Sequence, residues 1–193
     1  MLRREFSNLY FDEIRKCLNH LENNLRDQID RLMEILLEAR KNRKTIFIMG
    51  NGGSGSTASH FACDLAKNTI APDNLRFKVI ALTDNVPQIL AWANDTEYQN
   101  IFIEQLKNLL EKGDVVIGIS VSGNSKNVIK ALEYANENGA ITIGLTGFDG
   151  GKIKNIAKET IIVPSYNMQC CEDIHLMLQH IITSTIREEL NTK

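Results

Sequence analysis

Three hydroxyls crowd one turn of this chain. Ser120, Ser122 and Ser125 lie within six residues of each other, around Gly123 and Asn124. A hydroxyl both donates and accepts hydrogen bonds, so a run of them at the start of a helix suits the oxygens of a phosphate. Capping that helix would occupy one polar residue, Asn124 or a serine, and would leave the other hydroxyls unexplained. A second small-residue turn, Gly50-Asn51-Gly52-Gly53-Ser54-Gly55-Ser56, has the same character. It lacks the Lys-Ser/Thr ending of a P-loop. It also lacks the GxGxxG spacing, with an acidic residue after the next strand, that marks dinucleotide binding. A phosphorylated small molecule is therefore the expected ligand, and no nucleotide cofactor is expected.

Ionisable side chains gather in two places. His60 and Asp64 are four residues apart, on one helical face just beyond the first turn. Near the C-terminal end, Glu172, Asp173, His175, Gln179 and His180 fall over two helical turns. Acidic residues favour a helix N-terminus on electrostatic grounds alone. Two imidazoles with two carboxylates on two helices also suit either acid–base chemistry or a divalent metal ion.

The elements that position these residues follow from hydrophobic periodicity. Residues 6–40 carry apolar side chains at three- and four-residue steps, from Phe6 and Tyr10 to Leu36. They predict two helices or one long bent one. From Lys44 onward, short apolar runs at 45–49, 77–82, 114–119, 141–145 and 160–163 alternate with helical runs. The helices are expected at 55–68, 86–93, 97–111, 124–138 and about 171–190. Five such strands alternating with helices predict an α/β fold, a doubly wound five-stranded parallel sheet flanked by helices. Both small-residue turns then open a helix at the carboxyl edge of the sheet, where such folds bind ligands.

The bulk properties agree with that class. The chain has 193 residues, 43% hydrophobic and 24% charged, with a net charge of −2. This is ordinary for one domain with a buried core, and the charge invites neither nucleic acid nor an anionic membrane. No apolar run reaches membrane-spanning length, and the N-terminus is too charged for a signal peptide. The four cysteines have no CxxC spacing, so reduced thiols and a cytoplasmic location are expected.

These motifs together resemble the sugar isomerase (SIS) domain family. The resemblance rests on Gly50-Asn51-Gly52-Gly53-Ser54, His60-Phe61-Ala62, Gly118 through Val128, Leu145-Thr146-Gly147, and a last helix with His175 and His180. It covers essentially the whole chain and is strongest toward phosphoheptose isomerases. It implies a single domain over 1–193, with the helical segment 1–41 packing on the domain and on a neighbouring subunit of a homotetramer. It implies that Asn51, Gly52, Gly53, Ser54, Ser120, Ser122, Asn124 and Ser125 bind the sugar phosphate, with Gln105 near the site. Some members bind zinc, and their ligand positions map here to His60, Asp64, Glu172 and His180.

Two of those positions depart from the family pattern. Its glutamate is Asp64 here, and its glutamine is Glu172. The segment Leu82–Pro87 also replaces a Thr/Asp/Ser-rich stretch that meets the substrate in typical members. The retained ionisable groups imply aldose–ketose isomerisation through an enediol, with Asp64, Glu172 and His180 as the catalytic set. The expected substrate is sedoheptulose 7-phosphate, giving D-glycero-D-manno-heptose 7-phosphate. The competing readings are an isomerase of another sugar phosphate used in polysaccharide synthesis, and a non-catalytic SIS protein that binds a replication initiator.

Overall fold

A computed structural model describes residues 2–73 and 75–192. Its centre is a five-stranded parallel sheet in the order β2-β1-β3-β4-β5. The strands are β1 (Thr45–Gly50), β2 (Lys78–Ala81), β3 (Val115–Ser120), β4 (Ile141–Thr146) and β5 (Glu159–Ile162). Side chains alternate between faces with a period of two. Ile46 and Ile48 therefore join one core and Phe47 and Met49 the other.

Four helices cover the first face: α1 (Leu2–Asn24), α2 (Arg26–Lys41), α3 (Gly52–Lys67) and α7 (Met168–Thr192). The second face is covered by α4 (Val86–Asp95), α5 (Ile103–Leu109) and α6 (Lys126–Glu137). The doubly wound architecture is as expected. The leading segment is two helices that meet at Leu25.

Three elements differ from expectation. The run 97–111 is a 3-10 turn, Tyr98–Asn100, followed by the short α5. Ile101 and Phe102 are consecutive and both buried, which one continuous helix would splay by about 100°. Helix α3 begins at Gly52, so Gly52-Gly53-Ser54 form its first turn rather than a loop before it. Helix α7 begins at Met168, earlier than periodicity indicated, because Asn167 caps it by accepting from the Gln169 and Cys170 amides.

The strand order reverses direction at β1. The turns after β1 and β3, neighbours in the sheet, therefore open side by side at the carboxyl edge.

Candidate active site

The first turn is held open by residues outside it, Asn127 of α6 and Tyr98. Asn51 occupies the N-cap position of α3, yet its side chain caps nothing. Its Oδ1 instead accepts from Asn127 Nδ2 (2.8 Å) and from the Tyr98 hydroxyl (2.8 Å), and its Nδ2 donates to Asn127 Oδ1 (3.0 Å). The first-turn N–H groups of α3 thus have neither an intrahelical acceptor nor a side-chain cap, which is the arrangement that receives an anion.

Across from it, Ser120 and Ser125 share a hydroxyl–hydroxyl hydrogen bond (3.0 Å). Ser125 is the N-cap residue of α6 and makes no side-chain cap bond. Ser122 Oγ accepts from the Asn124 amide, and the Asn124 side chain bonds the Ser122 carbonyl and the Lys152 amide. The expected capping of α6 by a serine or Asn124 is therefore not made, and those side chains shape the turn itself. Gly123 has φ +61° and packs so closely on Gly150 that a Cβ would sit 2.0 Å from its carbonyl oxygen. Its own carbonyl accepts from the Lys152 and Ile153 amides, so the Gly150-Gly151 turn braces the serine turn.

The ionisable residues divide into two groups. His60, Asp64 and His180 converge, with their ligand atoms all within 4.8 Å of one another. His60 Nε2 lies 3.4 Å from His180 Nε2 and 3.4 Å from Asp64 Oδ2, and His180 Nε2 lies 3.7 Å from the same oxygen. The imidazoles are about half exposed, and Asp64 is largely covered. Asn68 Nδ2 donates to the other Asp64 oxygen at 2.8 Å. A tetrahedral zinc with bonds of about 2.0–2.2 Å sets its ligand atoms about 3.3–3.6 Å apart, so two imidazoles and a carboxylate at these separations fit such an ion. The same contacts suit proton relay between a carboxylate and an imidazole.

Glu172 lies outside that trio. Its carboxylate rests on the first turn of α3, where a Cβ on Gly53 would meet Oε1 at 2.5 Å. Among the described residues no hydrogen bond or ion pair engages it. Neighbouring Asp173 is exposed and accepts from the Tyr10 hydroxyl of α1 at 2.6 Å.

Two residues grouped with these by spacing turn inward. His175 is fully buried, and its Nε2 donates to the Thr146 carbonyl at the end of β4 (3.0 Å). Burial pushes its pKa down to about 4, so the ring is neutral. Gln179 is fully buried one turn later. Gln105, also buried, spends its amide N–H groups on the Leu82 and Ile101 carbonyls. It thereby ties the start of the 82–87 segment to α5 at Leu82.

Asn127 and Tyr98 are the site residues that spacing did not single out. Asn127 reads as an ordinary first-turn helix residue, and Tyr98 lies in the run taken for one helix. Only the tertiary pairing with Asn51 reveals them.

Comparison with known proteins follows the same lines. A family model described as SIS domain matches residues 9–147. The chain is 39% identical over 176 residues to a phosphoheptose isomerase of Nitratiruptor sp., covering 91% of this chain and 94% of that one. It is 35% identical over 193 residues to a phosphoheptose isomerase of Helicobacter pylori, covering 100% of this chain and 97% of that one. The structure of a phosphoheptose isomerase from Neisseria gonorrhoeae superposes with a TM-score of 0.88 at 31% identity, covering 97% of this chain and all of that one.

Proposed function

The chain belongs to the SIS domain family, and on that premise we propose that it isomerises sedoheptulose 7-phosphate to D-glycero-D-manno-heptose 7-phosphate. The observation that carries this reading is the meeting of His60, Asp64 and His180 on the two helices, α3 and α7, that also bear the first turn and Glu172. Its relatives of similar length bear the same activity in their names.

In this reading the phosphate lies on the serine turn, held by the hydroxyls of Ser120, Ser122 and Ser125 with Asn124. The open-chain sugar extends toward Asn51, Gly52, Gly53 and Ser54. Anchoring the phosphate fixes the distance from that end to the reacting carbons, and this positioning lowers the barrier before any proton moves. Asp64 Oδ2 takes the carbon-bound proton and His180 serves the adjacent oxygen. Glu172 is unengaged, so its carboxylate accepts from the sugar hydroxyls. The family's glutamine at that position does not carry a base, which favours Asp64 for that role.

His60, Asp64 and His180 would hold zinc, which when bound supplies polarisation of the sugar carbonyl. Liganding and proton abstraction compete for Asp64 Oδ2, and turnover that survives chelation assigns that oxygen to proton transfer. The exposed apolar residues of α1 support assembly as a homotetramer.

The test follows sedoheptulose 7-phosphate by NMR with the purified protein, with and without zinc. The wild type is expected to form the heptose phosphate. Asp64→Asn is expected to lose about 100-fold or more in kcat, the scale of general-base catalysis. Glu172→Gln is expected to stay within about tenfold, the cost of altering one hydrogen bond to substrate. No conversion by a folded wild type overturns the reading. Collapse of Glu172→Gln with Asp64→Asn active moves the base to Glu172.

A further inference from the structure

The amide of Asn51 is fully assigned by its neighbours. Val128 N–H donates to Asn127 Oδ1 (3.0 Å), which identifies that atom as oxygen. Asn127 Nδ2 must then face Asn51, and the atom receiving it must be Asn51 Oδ1. The Tyr98 hydroxyl bonds the same oxygen from the opposite element. Asn51 Oδ1 thus accepts two hydrogen bonds and is saturated. Of the two Nδ2 hydrogens, one goes to Asn127. A single N–H remains, and Asn51 lines a cleft of about 330 Å³ with Gly50, Gly52, Ser56 and Thr83.

We propose that Tyr98 and Asn127 are positioning residues that draw the Asn51 carbonyl off its own helix end, so that Asn51 meets the substrate only as a donor. Asparagine is among the strongest N-caps, and a free Asn51 would turn Oδ1 onto the α3 amides and occupy from within the N–H groups that face the sugar in the proposed reading. Held as it is, the residue leaves those amides open. It adds one N–H aimed at an oxygen of the sugar, and it repels donors that need an acceptor there. Asn127 is buried and Tyr98 is more than half exposed, so the clamp has a fixed side and an accessible one. This inference rests on the sugar-phosphate reading above.

The test is a double-mutant cycle on the full-length protein with sedoheptulose 7-phosphate. Tyr98→Phe is expected to lower kcat/KM about fivefold, the loss of one neutral hydrogen bond. Asn127→Ala is expected to lower it about 30-fold, because both reciprocal bonds go. Asn127→Asp keeps the acceptor for Asn51 Nδ2 and is expected to recover part of that loss. In an Asn51→Ala background, Tyr98→Phe is expected to cost nothing further, since its effect travels through Asn51. An undiminished Tyr98→Phe effect in that background overturns the proposal and makes Tyr98 a direct substrate contact.

A second arm needs no turnover. The Asn51 side-chain amide, identified in a ¹⁵N spectrum by its loss in Asn51→Ala, is expected to show slowed exchange in the free protein and to accelerate in Tyr98→Phe. Exchange as fast as that of an exposed asparagine overturns the clamp, whatever the substrate proves to be. An inactive wild type with a protected Asn51 amide condemns the substrate assignment and leaves the clamp standing.

Discussion

Gly53 packs against Glu172. A side chain on the first turn of α3 here must push that carboxylate aside, because a Cβ would meet both carboxylate oxygens and their carbon at 2.5–2.6 Å. The obstructing group is the end of a flexible side chain, so Gly53→Ala displaces Glu172 rather than unfolding the protein. Alanine also propagates a helix better than glycine by about 0.5–1 kcal/mol. The expected variant therefore melts no lower than wild type and loses about tenfold in kcat/KM, which thermal melts and steady-state kinetics together would reveal; unchanged kinetics would detach Glu172 from the site. At this scale the sequence was partly legible. The i, i+4 spacing of His60 and Asp64 placed both on one face, as found. The grouping of Glu172, His175 and His180 was too generous. A helix advances 100° per residue, so His180 stands about 80° from Glu172 and about 140° from His175. That arc crosses the edge of the buried stripe, and His175 falls on its inner side.

Helix α7 acts as the strut of the site. It carries Glu172 and His180 outward while His175 ties it to the end of β4, whose Thr146 pairs in register with Ser120 of the serine turn. The strut requires a neutral ring. The folded-state pKa of His175 is about 4, against an ordinary value of 6.5. Between those values the unfolded chain binds a proton that the folded chain refuses, so stability is full above pH 6.5 and falls as pH drops toward 4. The loss attached to this one group is on the order of 3 kcal/mol. Thermal melts from pH 7 to pH 4 are expected to show that decline, and His175→Gln is expected to flatten it while lowering the melting point at pH 7. A decline of the same size in the variant would assign the acid sensitivity elsewhere. Elements were the most legible scale: strand positions and the alternation with helices follow directly from apolar runs. The 97–111 region was not, because its break comes from burying two adjacent residues, Ile101 and Phe102, and no glycine or proline announces it.

For the whole molecule, the outer face of α1 is left bare in the single chain. Leu2, Phe6 and Leu9, which share that face, are each 64–68% exposed there. Large apolar side chains gathered on one exposed helix mark an association surface. With the proposed homotetramer, sedimentation equilibrium is expected to give about four times the chain mass of 21.8 kDa. Phe6→Asp with Leu9→Asp is expected to lower that mass while leaving the helical circular dichroism signal intact; a monomeric wild type would refute the assembly. The strand order has a further consequence, one of timing. β2 pairs with β1, β3 then adds at the other edge of β1, β4 beside β3, and β5 beside β4. Each newly synthesised strand after the first pair lands on an open edge, and none must wedge between strands already joined. A chain leaving the ribosome can therefore lay down its sheet in order of synthesis, at about 5–20 residues per second. Both small-residue turns are in place well before α7 emerges with Glu172 and His180. In the proposed reading the nascent protein gains its phosphate cradle early and completes the Asp64–His180 pair only in the closing step, so a grip on phosphate precedes any power to transform the sugar.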